Sequence, residues 1–301
     1  MAYSLKIKNT YGIDLYATFE CGQCFRFNKI ENSEYKAEYR GVAHGKHLEI
    51  ADDGEFLHLN ASDEEFNSVW LDFLGLSEDY SAIHDELISL TDNKALHSAI
   101  KQGGGIRILK QDPWETLFSF IISQNNNIPR IRKMIRRLSA EYGVNICLQN
   151  GASKCPLGKI STTPCDEKCK ECGCCYTFPT ATAVYENPEK MKPANPGFRY
   201  KYLYDAARRI ALGETNLEMI AAARSYEYTK SKLCEIHGVG EKVASCTALF
   251  GFANFEAFPI DVWMRRAIDE YFDGVLDPAS LGRYAGVAQQ YIFHYIRNLK
   301  E

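Results

Sequence analysis

Around residue 60 the chain changes its period, and that change fixes the kind of fold it can adopt. Before it come short mixed apolar and polar stretches, CFRFNKI, YKAEYRGVAHGKHLEI and EFLHLN, punctuated by Gly41, Gly45 and Gly54. Such stretches predict an antiparallel sheet. From about Asp63 the spacing turns helical: Phe66, Val69, Trp70 and Phe73 make an i, i+3, i+4, i+7 stripe behind the start signal Ser62. Helical patterns then run to the C-terminus, with no internal repeat. The expected class is α+β, a small N-terminal antiparallel sheet domain with flanking helices over 1–95 and a mainly α-helical domain over 96–301.

With 301 residues, 46% of them hydrophobic and 25% charged, the chain can bury a sizeable core, which excludes disordered and fibrous classes. Its N-terminus, MAYSLKIKNTYG, lacks the apolar run of a signal peptide, and nothing approaches the ~18 apolar residues of a spanning helix. A soluble, monomeric, non-membrane protein is expected, cytoplasmic and nucleoid-associated in a prokaryote. The net charge of -4 argues at first against nucleic acid, but it is unevenly spread. Asp52 to Asp92 holds twelve acidic residues and no Lys or Arg, leaving the remainder at +8. Basic clusters occur at Arg130, Arg132, Lys133, Arg136 and Arg137, and at Arg199, Lys201, Arg208 and Arg209. Such clusters are often plain solvated surface, so charge alone leaves both readings open.

In QDPWETLFSFIISQNNNIPRIRKMIRRLSAEYG, Asp112 reads as an N-cap with Pro113 at the first helical position, and the apolar run ends at Gln124. Asn127 to Pro129 restarts a second, basic helix, so three asparagines occupy the turn between. Further on, KSKLCEIHGVGEKVASCTALFGF places Leu233 and Ile236 at the end of one helix, His237-Gly238-Val239-Gly240 in a tight hairpin, and Glu241 at the start of another helix. Two glycines one residue apart permit positive φ and close approach of a partner. Free amides at the following helix N-terminus can hold a phosphate.

Lys242 falls in the first turn of that helix, where the positive dipole end disfavours an ammonium and so favours the nucleophilic amine. Asp261 follows Pro259 and caps the next helix in AFPIDVWMRRAIDEYF. An amine with a nearby carboxylate is equipment for imine chemistry at a sugar carbon, the carboxylate stabilising developing positive charge. On spacing alone, an exposed lysine and a mere helix cap fit equally well.

Taken together, the hairpin, Lys242 and Asp261 resemble the helix-hairpin-helix DNA glycosylase superfamily. CGQCFRF, QDPWETLFSFIISQNNNIPRI, PGFRYKYL and YAGVAQQYIF narrow the resemblance to the 8-oxoguanine DNA glycosylase/lyase family, across nearly the whole chain outside residues 145–180. The resemblance implies a bifunctional enzyme of base excision repair acting on double-stranded DNA with oxidised guanine opposite cytosine, needing no cofactor for its chemistry. Lys242 would form the Schiff base and Asp261 would stabilise the cationic sugar. Gly22 would accept the N7 proton of the flipped base, Gln289 would read its Watson-Crick edge, and Cys246 and Phe293 would sandwich it. Asn125, Arg130 and Arg199 would hold the estranged cytosine and Phe198 would wedge the stack. The backbone of His237, Gly238, Val239 and Gly240 would grip a phosphate. Two departures are visible: Trp263 stands where the family has a phosphate-contacting histidine, and Phe198 replaces a tyrosine. A glycosylase for another lesion, and a catalytically silent metal-dependent DNA-binding protein, are the rival readings.

Seven of the eleven cysteines fall between Cys147 and Cys175, inside an insertion at about 145–180 that has no counterpart in the resemblance. So local a cluster is not the disulfide framework of a secreted fold. A structural zinc is one reading of this cluster, with Cys165, Cys169, Cys172 and Cys175 the first choice among ligand sets; an iron-sulfur cluster and reduced, unligated thiols are the alternatives.

Overall fold

The computed structural model describes residues 3–146 and 176–300. The insertion cysteines, including Cys165, Cys169, Cys172 and Cys175, lie outside the described residues.

Five strands form an antiparallel sheet: β1 (Leu5–Lys8), β2 (Asn28–Lys29), β3 (Ala37–Ala43), β4 (Lys46–Asp52) and β5 (Phe56–Leu59), in the order β1-β5-β4-β3-β2. Ala43 pairs with Lys46 across a two-residue turn in which His44 and Gly45 both take positive φ, 49° and 70°. That turn carries the right-handed twist from β3 into β4. Tyr39, Leu48, Ile50, Leu57 and Leu59 then form a first core with Leu15 and Phe19 of α1 (Leu15–Glu20). Phe66, Trp70 and Phe73 close that core from a helical run, Asp63–Glu65, Phe66–Trp70 and Leu71–Phe73, whose middle turn is a π-helix. As expected, Ser62 caps this run, accepting from Glu65 N at 3.1 Å.

Two local expectations change. The six-residue α1 escapes the periodicity argument because it is too short to repeat a face, although Asp14 caps it. CFRFNKI was expected as a strand, but only Asn28–Lys29 pair with β3, and Phe25 and Phe27 point into different cores.

The remaining helices are α2 (Tyr80–Ser89), α3 (Lys94–Gly103), α4 (Pro113–Ser123), α5 (Ile128–Tyr142), α6 (Ala181–Glu186), α7 (Tyr200–Ala211), α8 (Leu217–Ala223), α9 (Tyr226–Cys234), α10 (Glu241–Gly251), α11 (Val262–Tyr271) and α12 (Ala285–Lys300). They surround a second core to which α2 contributes Tyr80, Ile83 and Leu87. At its centre α4 is buried continuously from Glu115 to Ile122 and packs along α10. None of these helices is long and apolar enough to cross a membrane.

A buried ion pair joins the two cores. Arg26 Nη1 lies 3.3 Å from Glu115 Oε2, with side chains 5% and 11% exposed, and Arg26 Nη2 also donates to the Tyr176 carbonyl. Burial pushes the Glu115 carboxyl above its usual range and the Arg26 guanidinium pulls it back. Removing one partner strands a charge in low dielectric, so Arg26→Leu should lose about 3–5 kcal/mol of stability by urea denaturation at pH 7. A carboxyl raised in the folded state contributes stability that is present at acid pH and lost as pH rises. The deficit of Arg26→Leu should therefore shrink as pH falls through the carboxylate range.

Candidate active site

The hairpin between α9 and α10 is built around Gly238. Its φ is +83°, and a Cβ there would fall 2.2 Å from the Tyr202 ring, so only glycine fits. Tyr202 meets His237 edge-on at 5.0 Å, His237 N donates to Asp205 Oδ2 at 2.9 Å, and Gln124 Nε2 donates to the Gly238 carbonyl at 3.1 Å. Val239 is buried beneath the turn. Gly240 is the N-cap of α10 and offers no side-chain oxygen, so the first-turn amides of α10 remain without a side-chain cap. Those amides and the hairpin backbone make a ready anion site.

Lys242, on the first turn of α10, is half-buried with its amine 4.9 Å from the centre of the Phe120 ring. Phe120 is itself held by Phe250, 5.6 Å away, and by Phe25. Asp261 caps α11, accepting from Met264 N at 2.8 Å. Lys242 and Asp261 form no ion pair with each other, yet both line one small cavity of about 50 Å³. Gly22, Cys246, Gln289 and Phe293 line the same cavity, together with Cys21, Phe120, Phe250, Pro259 and Gln290. All six residues singled out for catalysis and base recognition are thus brought together from four separate segments. Cys246 is buried, which pushes its thiol up, while the neighbouring Lys242 draws it down.

The loop carrying Gly22 is fixed by a residue the sequence reading passed over. Gln23 is fully buried. Its Nε2 donates to the carbonyls of Thr18 and Arg107 at 2.9 and 2.8 Å, its Oε1 accepts from Leu109 N at 2.8 Å, and its own carbonyl accepts from Gln111. Gly22, at φ +81°, is left with open space around it.

The residues assigned to the opposite strand form a second group beyond the hairpin. Asn125 is exposed at φ 48°, Arg130 is exposed at the start of α5, and Phe198 is 49% exposed on a short turn. Arg199 differs from expectation. It is 2% exposed, and its guanidinium donates to the carbonyls of Gln124, Asn125 and Pro196, so it supports the asparagine turn in this conformation. The basic clusters are also partly consumed: Arg132 pairs with Glu20, and Arg208 and Arg209 pair with Asp205 and Glu214. Trp263 is 37% exposed at the α11 N-terminus with Arg266 beside its ring. Among the described residues, no group of three or more His, Cys, Asp or Glu side chains is arranged to hold a metal ion.

The N-terminal domain profile of 8-oxoguanine DNA glycosylase matches residues 5–117. The solved structure of MBOgg1 with a low-affinity DNA ligand is 34% identical, covers 98% of this chain and 96% of its own, and superposes with a TM-score of 0.82. The Clostridium acetobutylicum 8-oxoguanine glycosylase/lyase, solved with double-stranded DNA containing cytosine opposite 8-oxoG, is 32% identical over 100% of both chains, with a TM-score of 0.80. The chain belongs to the 8-oxoguanine DNA glycosylase family. A Saccharomyces cerevisiae N-glycosylase/DNA lyase is 33% identical over 54% of this chain, and the match spans only 40% of that relative.

Within this member of the 8-oxoguanine DNA glycosylase family, cysteine reactivity follows burial. Burial pushes the Cys21 thiol to about 12 and the Cys24 thiol to about 11, whereas Cys234 is exposed. At pH 8, iodoacetamide should label Cys234 at least about tenfold faster than Cys21 or Cys24, read by peptide mass spectrometry.

Proposed function

We propose that this protein is a bifunctional DNA glycosylase/lyase that excises 8-oxoguanine opposite cytosine. The observation that carries the reading is the shared cavity, where an amine, a carboxylate and the base-recognition residues converge. The cavity in this conformation is smaller than a purine, so the flipped base is admitted by outward movement of half-buried Phe293 on α12. Phe293 and Cys246 then take its two faces, the Gly22 carbonyl accepts the hydrogen carried on N7, and Gln289 addresses the Watson-Crick edge.

The Lys242 amine attacks C1′ of the sugar, the glycosidic bond breaks, and the base leaves with the bonding pair. The proton lost by the amine balances the one taken up by the base. The nitrogen lone pair of the aminal so formed then makes the C1′=N bond as the C1′–O4′ bond breaks and O4′ takes up a proton. This protonated imine acidifies the 2′ hydrogen, whose removal expels the 3′ phosphate and nicks the strand. Asp261, held by its capping bond, stabilises the positive charge developing on the sugar. The hairpin 237–240 and the uncapped α10 amides hold the backbone phosphate. Asn125, Arg130 and Phe198 face the opposite strand, and Arg199 reaches the cytosine by exchanging its carbonyl partners for base acceptors. More than four thiols on so polar a segment support a structural zinc, with Cys165, Cys169, Cys172 and Cys175 as the first-choice ligands, to be tested by metal analysis before and after chelation.

Borohydride should trap a covalent adduct on duplex containing 8-oxoguanine opposite cytosine, and Lys242→Gln should abolish it. No adduct from the folded wild type would remove the bifunctional mechanism. Asp261→Asn separates the two duties of that residue: its amide oxygen still caps α11, so stability should change by less than about 1 kcal/mol. Base release should nevertheless fall about 100-fold in single-turnover assays.

A further inference from the structure

Gln289 and Gln290 are adjacent on α12, both 4% exposed, and both line the Lys242 cavity. Gln290 Nε2 donates to Gln289 Oε1 at 2.6 Å. That bond occupies one lone pair of the Gln289 oxygen and turns it toward Gln290, leaving the Nε2 hydrogens of Gln289 for a ligand. Gln290 Oε1 is buried without any partner. An unsatisfied buried acceptor is destabilising, and it persists where something else supplies the donor. The next residue, Tyr291, is fully buried and joined to His84 at 2.8 Å, so this turn of α12 is firmly held.

We propose that Gln290 is a second specificity-determining residue, acting with Gln289 as one coupled amide pair that reads the base edge. The inference rests on the function proposed above. A hydrogen bond from one amide to the other fixes which end of each faces outward, here the Nε2 hydrogens of Gln289 and the Oε1 of Gln290. Here Gln289 presents the donor and Gln290 the acceptor, which match O6 and N1–H of an 8-oxoguanine. An 8-oxoadenine presents the reverse, an amino group and a bare N1, and meets the pair donor to donor and acceptor to acceptor. The pair thereby selects guanine by leaving buried groups unpaired against adenine.

The test compares release of 8-oxoguanine, release of 8-oxoadenine and nicking of a preformed abasic site, in the wild type and in Gln290→Met and Gln290→Glu. Gln290→Met should lower the ratio of 8-oxoguanine release to abasic nicking by about tenfold, the scale of one lost hydrogen bond to a buried group. It should narrow the preference for 8-oxoguanine over 8-oxoadenine by a similar factor. In Gln290→Glu the carboxylate accepts from Gln289 Nε2 and turns the Gln289 oxygen toward the base, so the pair presents two acceptors, each base meets one match and one clash, and the preference should narrow as in Gln290→Met. Equal losses on all three substrates, unchanged base preference, or unfolding of both variants would make Gln290 a packing residue and overturn the proposal. A wild type that nicks abasic sites but releases no 8-oxoguanine would overturn the proposed function instead.

Discussion

The burial of α4 is the constraint on which the rest of the molecule depends. Every side chain from Glu115 to Ile122 is enclosed, so this helix cannot shift without disturbing the second core and the ion pair with Arg26 that ties it to the first. Along one side it meets α10 closely, where a Cβ on Gly251 would come within 3.0 Å of Pro113 Cα. That approach sets Phe120 beneath the Lys242 amine. At its N-terminal end Glu115 takes Arg26 from the sheet side, and just past its C-terminal end Gln124 reaches the hairpin carbonyl of Gly238. One rigid rod therefore spaces the amine, the hairpin and the loop that carries Gly22.

Gln124 is the point where the two halves of the site meet. Its side chain holds the hairpin, while its main-chain carbonyl is held by Arg199. The exposed Asn125 comes directly after it in a left-handed conformation. Under the proposed function, movement of Arg199 toward the opposite strand would loosen the turn that anchors the hairpin and so tie recognition of the opposite base to the hold on the phosphate. Coupling of this kind needs no long pathway, only two hydrogen bonds on one residue.

The features read correctly from sequence are those whose chemistry is local. Asp112, Asn127, Ser62 and Asp261 cap the helices that spacing assigned to them, because a cap is decided within three or four residues. The hairpin was legible for the same reason. What escaped was decided at long range. Sequence placed Arg199 in a basic cluster but could not show that carbonyls some 75 residues away hold its guanidinium. The bonds of Gln23 reach segments more than 80 residues off as well as Thr18 on α1 and Cys21 beside it. Gln290 was hidden by its neighbour, since sequence shows which amides are present but not which of their atoms are already occupied.

The stem of the insertion has a consequence for how this fold can vary. Asn145 bridges Tyr176, and Val144 and Thr177 exchange two hydrogen bonds of 2.9 Å. Tyr176 is in turn held by Arg26 from the sheet side. The two ends of the segment are therefore already clasped, and the cost of closing a loop between clasped ends rises only with the logarithm of its length. Lineages can lengthen, shorten or exchange everything between residues 147 and 175 at small thermodynamic expense, leaving the amine and its cavity untouched. The clasp makes this position a socket, in which the segment between its ends can differ while the helices around the amine keep their packing.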